Sequence, residues 1–427
     1  MREDLLHFIW KYKKLPLEEL YTSKNEEVSI VDVGLHNMLS GPDFFNAKIE
    51  IGGQLWAGTV EIHVKSSDWY AHHHEVDDNY NNVILHVVWE DDIAVFSNNN
   101  TEIPTLVLKD YISPSILAAY QKLFHNKGNG FINCEKAIAQ IETFVFDHWI
   151  ERLYFERLEQ KSLQVMGLLE QSKNDWEAIF FALLAKSFGL KINGDIFFRI
   201  GKELDFSIIR KIQNNPLQLE ALLLGKAGLL SEEIQGDEYL ELLKKEYHYI
   251  GLKFNILEEP FQKAEFFKLR PHNFPTIRLS QLTAVYGKHQ NLFRKIINAS
   301  HIEEFYTIFN VSANAYWENH YTFGKLSKKS PKRLTKRFID LLVINTILPL
   351  KLSYAKYLGQ EENDQILRII TGIKAESNHI ISKFHGLQIT VPSAKESQGI
   401  LELYNNYCTK NKCLQCAVGN QLMNRKP

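Results

Sequence analysis

The sequence predicts an α+β protein, with an N-terminal mixed-sheet α/β domain followed by a large α-helical domain. Three observations carry this reading. Before Leu108 apolar residues alternate or run continuously in short β-like segments. After Ile132 they recur at three- and four-residue spacing almost throughout. A chain of 427 residues also exceeds what one hydrophobic core usually serves. The expected division is 1–131 and 132–427, with a cysteine cluster at the C-terminal end of the second part.

An amphipathic helix over about Glu3 to Lys13 is stopped by Pro16. Then come β-like runs at Val28 to Val33, Phe44 to Ile51, Leu55 to Lys65, Val83 to Trp89 and Thr105 to Leu108. Gly52-Gly53 is a strong hairpin signal between the second and third. Val83 to Trp89 is nearly continuous and apolar, as expected of a strand covered on both faces. The polar connection Asp68 to Asn82 has room for a short helix and its turns. Helical spacing follows at Thr143 to Leu169, Trp176 to Phe188, Leu217 to Leu230, Tyr239 to Tyr249 and Leu334 to Tyr357. Pro349 is expected to end or kink the last of these. No fixed-period repeat or low-complexity tract interrupts the pattern.

Composition narrows the function classes. A net charge of −2 gives no global attraction for nucleic acid, so such binding has to come from local patches. The first residues mix Arg2, Glu3, Asp4 and Lys11 with apolar side chains and lack the uninterrupted core of a leader peptide. The run Phe338 to Leu352 contains Asp340 and Asn345 and is short for a bilayer span. Four cysteines, three of them crowded near the C-terminus, do not make a disulfide scaffold. The expectation is a cytoplasmic protein with no membrane partner.

The candidate site lies on the hairpin. Asp43 precedes the second strand, and Glu61, His63 and Lys65 share one face of the third. Counted outward from Gly52-Gly53, Asp43 lies farther from the turn than Glu61, so a bulge or longer turn is needed to set them side by side. Two converging carboxylates beside a basic side chain suit Mg²⁺- or Mn²⁺-dependent phosphodiester cleavage. Oxygen ligands hold the hard cation, which polarises the phosphate and activates a water. The bland alternative is a turn cap at Asp43 and a solvated pair at Glu61 and His63.

Pro42-Asp43, the gap to Glu61, and a basic residue on the same face resemble the PD-(D/E)XK nuclease superfamily. The helix, three strands, helix, strand order is also that superfamily's core. The resemblance implies that Asp43 and Glu61 hold the metal and that His63 stands where the family usually has lysine, with Lys65 as a substitute. A wider set resembles an uncharacterised bacterial family of unknown function: Ser40-Gly41-Pro42-Asp43-Phe44, Val60-Glu61-Ile62-His63, Ser66-Ser67-Asp68-Trp69 and Tyr80 to Val88. That second resemblance spans nearly the whole chain and implies no activity.

Other ligand-type residues surround the hairpin. His72, His73 and His74 precede Glu75, Asp77 and Asp78, and His86 sits inside the apolar strand. His63, His74, Asp78 and His86 are alternative metal ligands; a solvated histidine loop and a satisfied core histidine are the structural alternatives. Ser66 and Ser67 either cap a helix starting near Trp69 or contact phosphate. Cys408, Cys413 and Cys416, with Cys134 as a fourth, suggest structural zinc or an iron–sulfur cluster, against unliganded thiols on a frayed tail. Lys328, Lys329, Lys332 and Arg333 belong to a basic run able to track phosphates, or to a solvated loop. The leading expectation is a metal-dependent nuclease or nuclease-derived nucleic-acid-binding protein. The alternatives are a non-catalytic interaction scaffold with structural metal and a His/Asp metallohydrolase of a small molecule.

Overall fold

The computed structural model describes residues 2–16, 18–37, 39–124, 130–256 and 262–425. The chain is mixed α+β and divides into two compact units. One comprises 1–149, 386–389 and 403–427, the other 150–385 and 390–402. The first unit extends past the boundary read at residue 131 and takes in the C-terminal segment with its three cysteines.

The sheet unit opens with helix α1 (Glu3–Lys11). Seven strands follow: β1 (Leu20–Tyr21), β2 (Glu27–Asp32), β3 (Leu35–His36), β4 (Phe44–Ile51), β5 (Gln54–Lys65), β6 (Val83–Glu90) and β7 (Thr105–Val107). They form one sheet in the order β1-β2-β4-β5-β6-β7, with β3 paired to β4. The β2, β4 and β5 pairings are antiparallel, whereas β5, β6 and β7 run parallel. The five longer strands match the sequence runs to within a residue or two, while β1 and β3 are too short to leave a periodicity. Between β5 and β6 lies helix α2 (Asp68–Ala71) with two single 3₁₀ turns.

Amphipathicity seats α1. Leu5, Leu6, Ile9 and Trp10 are fully buried in the cluster that includes Ile49, Val60, Ile62, Leu85 and Val87 of the sheet. Each such side chain contributes about 1.5–3 kcal/mol on burial. The Trp10 indole donates to the Val33 carbonyl at 3.1 Å and fixes the helix against the end of β2. Leu414 and Met423 join the same cluster, so the C-terminal segment is part of this core.

The helical unit is built on long helices, among them Thr143–Gln171, which begins in the sheet unit, Trp176–Glu203, Pro216–Lys226, Glu238–Phe254 and Pro275–Lys288. Its core gathers Phe180, Phe181, Phe188, Leu222, Ile277 and Leu282. Of the two outcomes expected at Pro349, an end or a kink, the helix does not end there. The residues Val343–Ile347 adopt a π-helical turn just before it, and the helix continues to Tyr357. A π turn shifts the hydrogen-bond register where proline has no N–H to give. The stretch Lys336–Tyr357 is thereby long and apolar enough, by length and composition, to cross a membrane, yet most of it is buried inside this unit.

Candidate metal site on the hairpin

The β4–β5 hairpin turns at Gly52-Gly53, where Ile51 pairs with Gln54. The register then slips by one between Ala47–Gly58 and Phe44–Val60, a bulge at Phe45-Asn46 with Asn46 in the left-handed region at φ 57°. That slip places Asp43 beside Glu61 instead of Ile62. The Asp43 amide donates to Glu61 Oε2 at 3.1 Å, and the Ile62 amide donates to Asp43 Oδ2 at 2.9 Å. The slip thus sets the two residues side by side, each carboxylate holding a backbone amide of the opposite strand.

Helix α1 completes the acidic half. Glu3 and His7, one turn apart on the same helix face, bring their ligand atoms within 4.8 Å of Asp43, and His7 Nε2 stands 3.2 Å from Asp43 Oδ2. On the other side of Glu61, His63, His72 and His74 form a second group within 4.8 Å of one another. Glu61 Oε1 lies 3.5 Å from His63 Nε2 and 3.4 Å from His74 Nε2. Glu61 thus stands between a carboxylate-rich group and an imidazole group.

Burial decides the charge state of these side chains. Glu61 is 5% exposed, and burial, reinforced by the Asp43 charge, holds its carboxyl well above the ordinary range. Burial pushes Glu3 up to about 7. Burial opposes protonation of His7, but the adjacent Asp43 carboxylate outweighs it and raises His7. Burial, with neighbouring imidazoles, takes His63 down to about 2 and His86 to about 3, and His74 also falls through burial. The neutral imidazoles of His63 and His74 are in the form that ligates metal, whereas Glu3, Glu61 and His7 give up protons when a cation binds.

The model of the family described as Protein of unknown function (DUF2851) matches residues 3–379. The chain belongs to this family. Neither the curated proteins nor the solved structures give a match. The DUF2851 match spans α1, the whole sheet and Cys134, and ends before Cys408, Cys413 and Cys416.

The remaining expected residues of this DUF2851 chain distribute as follows. His86 is fully buried and reaches the site only through His63, with its Nε2 2.9 Å from His63 Nδ1. It is placed to fix the His63 ring and not to ligate. Its own Nδ1 meets no hydrogen-bond partner among the described residues. His72 Nδ1 bonds His63 Nε2 at 3.1 Å, and His74 stacks on Tyr80 at 3.8 Å between ring centroids. Asp78 is exposed and accepts from Asn81 and Asn98, so it does not join the imidazoles. Lys65 lies at the exposed end of β5, where its charge acts on Asp92.

Ser66 and Ser67 are committed elsewhere. Both hydroxyls and the Ser67 amide donate to the Asp92 carboxylate at 2.8–2.9 Å, and neither hydroxyl caps α2. In the helical unit Lys328, Lys329 and Arg333 are exposed. Lys332 is 2% exposed, and its Nζ donates to the Glu318 and Ser330 carbonyls and to Ser330 Oγ. It pins a loop and is closed to phosphate. Glu3, His7 and His72 are the residues that sequence reasoning left out of the site. The only signal for the first two was their one-turn spacing on an amphipathic helix.

Proposed function

We propose that this chain is a metal-dependent phosphodiesterase acting on nucleic acid, with Asp43 and Glu61 as the principal ligands of Mg²⁺ or Mn²⁺. The observation that carries the reading is the seating of the buried Glu61 beside the half-buried Asp43 at a bulged hairpin, with Glu3 and His7 of α1 gathered around Asp43. Crowded acids in a partly desolvated site are costly unless a cation balances them. The cation would polarise a phosphate oxygen and lower the pKa of a bound water. Asp43 and Glu61 orient it, and the Ile62 amide holds Asp43 in place. His63 stands beside Glu61 where the nuclease resemblance has lysine. The antiparallel β2-β4-β5 set followed by parallel β6, with α1 packed on it, agrees with that resemblance in topology.

The imidazole group supports a second reading, zinc-dependent hydrolysis of a smaller substrate, because His63, His72 and His74 offer three nitrogen ligands as catalytic zinc sites do. A scaffold with no chemistry is less well supported, since Glu61, His63 and His86 are buried against one another instead of facing solvent. The deciding experiment incubates single- and double-stranded DNA and RNA with the chain and Mg²⁺, Mn²⁺ or Zn²⁺, beside Asp43→Asn and Glu61→Ala. Cleavage with Mg²⁺ or Mn²⁺ that both variants abolish is the expected result. Cleavage that survives in both sinks the assignment, and hydrolysis of small esters with Zn²⁺ alone favours the second reading.

A further inference from the structure

Cys134, Cys408, Cys413 and Cys416 meet in the sheet unit and line one small pocket. Its other walls include Leu123, Ile138, Leu403 and Val418. None of the four is bonded to another. Sequence places Cys134 far from the rest, so the fold alone assembles this set. Leu414, between two of the cysteines, is buried in the sheet-unit core together with Met423 of the helix Ala417–Asn424.

Several features prepare these sulfurs for a metal group. Cys416 sits at the N-cap of Ala417–Asn424. The Asn133 side-chain amide donates to Cys413 Sγ at 3.4 Å. N–H groups aimed at sulfur stabilise thiolates and tune cluster-bound cysteines. The turn is also built for close approach. A Cβ at Gly419 would lie 1.9 Å from the Cys413 carbonyl oxygen, so only glycine lets the helix meet the cysteine turn.

The sulfur spacing selects among metals. One tetrahedral zinc with Zn–S of about 2.3 Å draws its four sulfurs to roughly 3.8 Å apart. Here no three of the four sulfurs fall within 4.8 Å of one another. A four-iron cubane takes one cysteine at each corner and holds the sulfurs more widely. An all-sulfur donor set in an apolar pocket suits the same group, since soft thiolates select iron–sulfur clusters over the hard cations expected at Asp43.

We propose that Cys134, Cys408, Cys413 and Cys416 ligate a four-iron, four-sulfide cluster that anchors the C-terminal segment to the sheet unit. The cluster is distinct from the hairpin site and does not depend on the nuclease reading. The helical unit lies in sequence between Cys134 and Cys408, so this ligation also closes a very long loop of chain.

The test uses the full chain, purified without oxygen and, in parallel, reconstituted with ferrous iron and sulfide. Expected is a brown protein with iron and acid-labile sulfide in equal amounts and a visible absorption that bleaches on reduction. Cys408→Ala should lose the iron, while Asp43→Asn should keep it, which separates this site from the hairpin. Because a cysteine variant can fail to fold, the wild type is also alkylated before and after removal of iron by a chelator under reducing conditions; all four thiols should react only afterwards. Stoichiometric zinc in place of iron overturns the proposal. So does wild-type protein that takes up no iron on reconstitution, or a folded Cys408→Ala that keeps its full iron content.

Discussion

Glu220, in the helix Pro216–Lys226, is 1% exposed, and its carboxyl accepts the Trp317 indole N–H at 2.5 Å. Burial raises its pKa from an ordinary 4.5 to about 7, a change its hydrogen bonds only partly offset. The fold therefore keeps a proton that the unfolded chain has already released. Stability from this group is complete below pH 4.5, declines as pH climbs toward 7, and stays lost above that. The loss amounts to about 3 kcal/mol. Glu220→Gln leaves an oxygen for Trp317 and removes the titration. The variant should match the wild type near pH 4.5 and exceed it by about 3 kcal/mol above pH 7. For a unit of this size that is roughly 6–12 °C in Tm. Thermal unfolding of both proteins across this pH range measures the difference directly. Parallel pH profiles would show that Glu220 is ionised in the folded state and refute the reasoning. A variant less stable at every pH would show that the lost charge-assisted bond outweighs the proton.

Two further perturbations probe the sheet unit. Asn46→Val puts a β-branched residue at φ 57° and should cost about 1–2 kcal/mol. By disturbing the bulge it should also weaken Mn²⁺ binding measured by calorimetry; lower stability with unchanged Mn²⁺ affinity would deny the bulge its part in setting Asp43 beside Glu61. Asp92→Ala removes the acceptor for Ser66 Oγ, Ser67 N and Ser67 Oγ, and should lower stability to urea by about 1–2 kcal/mol. An unchanged urea midpoint would mean that water replaces the carboxylate at no cost.

Local patterns made much of this protein legible from its sequence. Strand alternation, the Gly52-Gly53 turn and three- to four-residue helical spacing located the five longer strands, α1 and the main helices, because each reports on neighbours a few residues away. The Asp43–Glu61 convergence was readable up to the offset in the hairpin, since both flank one turn. What the sequence left open was non-local. Glu3 and His7 join Asp43 only because the apolar face of α1 packs on the sheet, a contact with no fixed sequence separation. The imidazole group took His72 and left out Asp78, because a short connection with α2 and two 3₁₀ turns, not residue type, decides which side chains reach His63. Lys332 looked like one cation of a basic run, yet local carbonyls and a hydroxyl close around it. The sequence by itself determined which residues carry ligand chemistry and the secondary structure they ride on. Tertiary structure decided which of them meet, since burial and register are properties of the assembled core and not of any local stretch of chain.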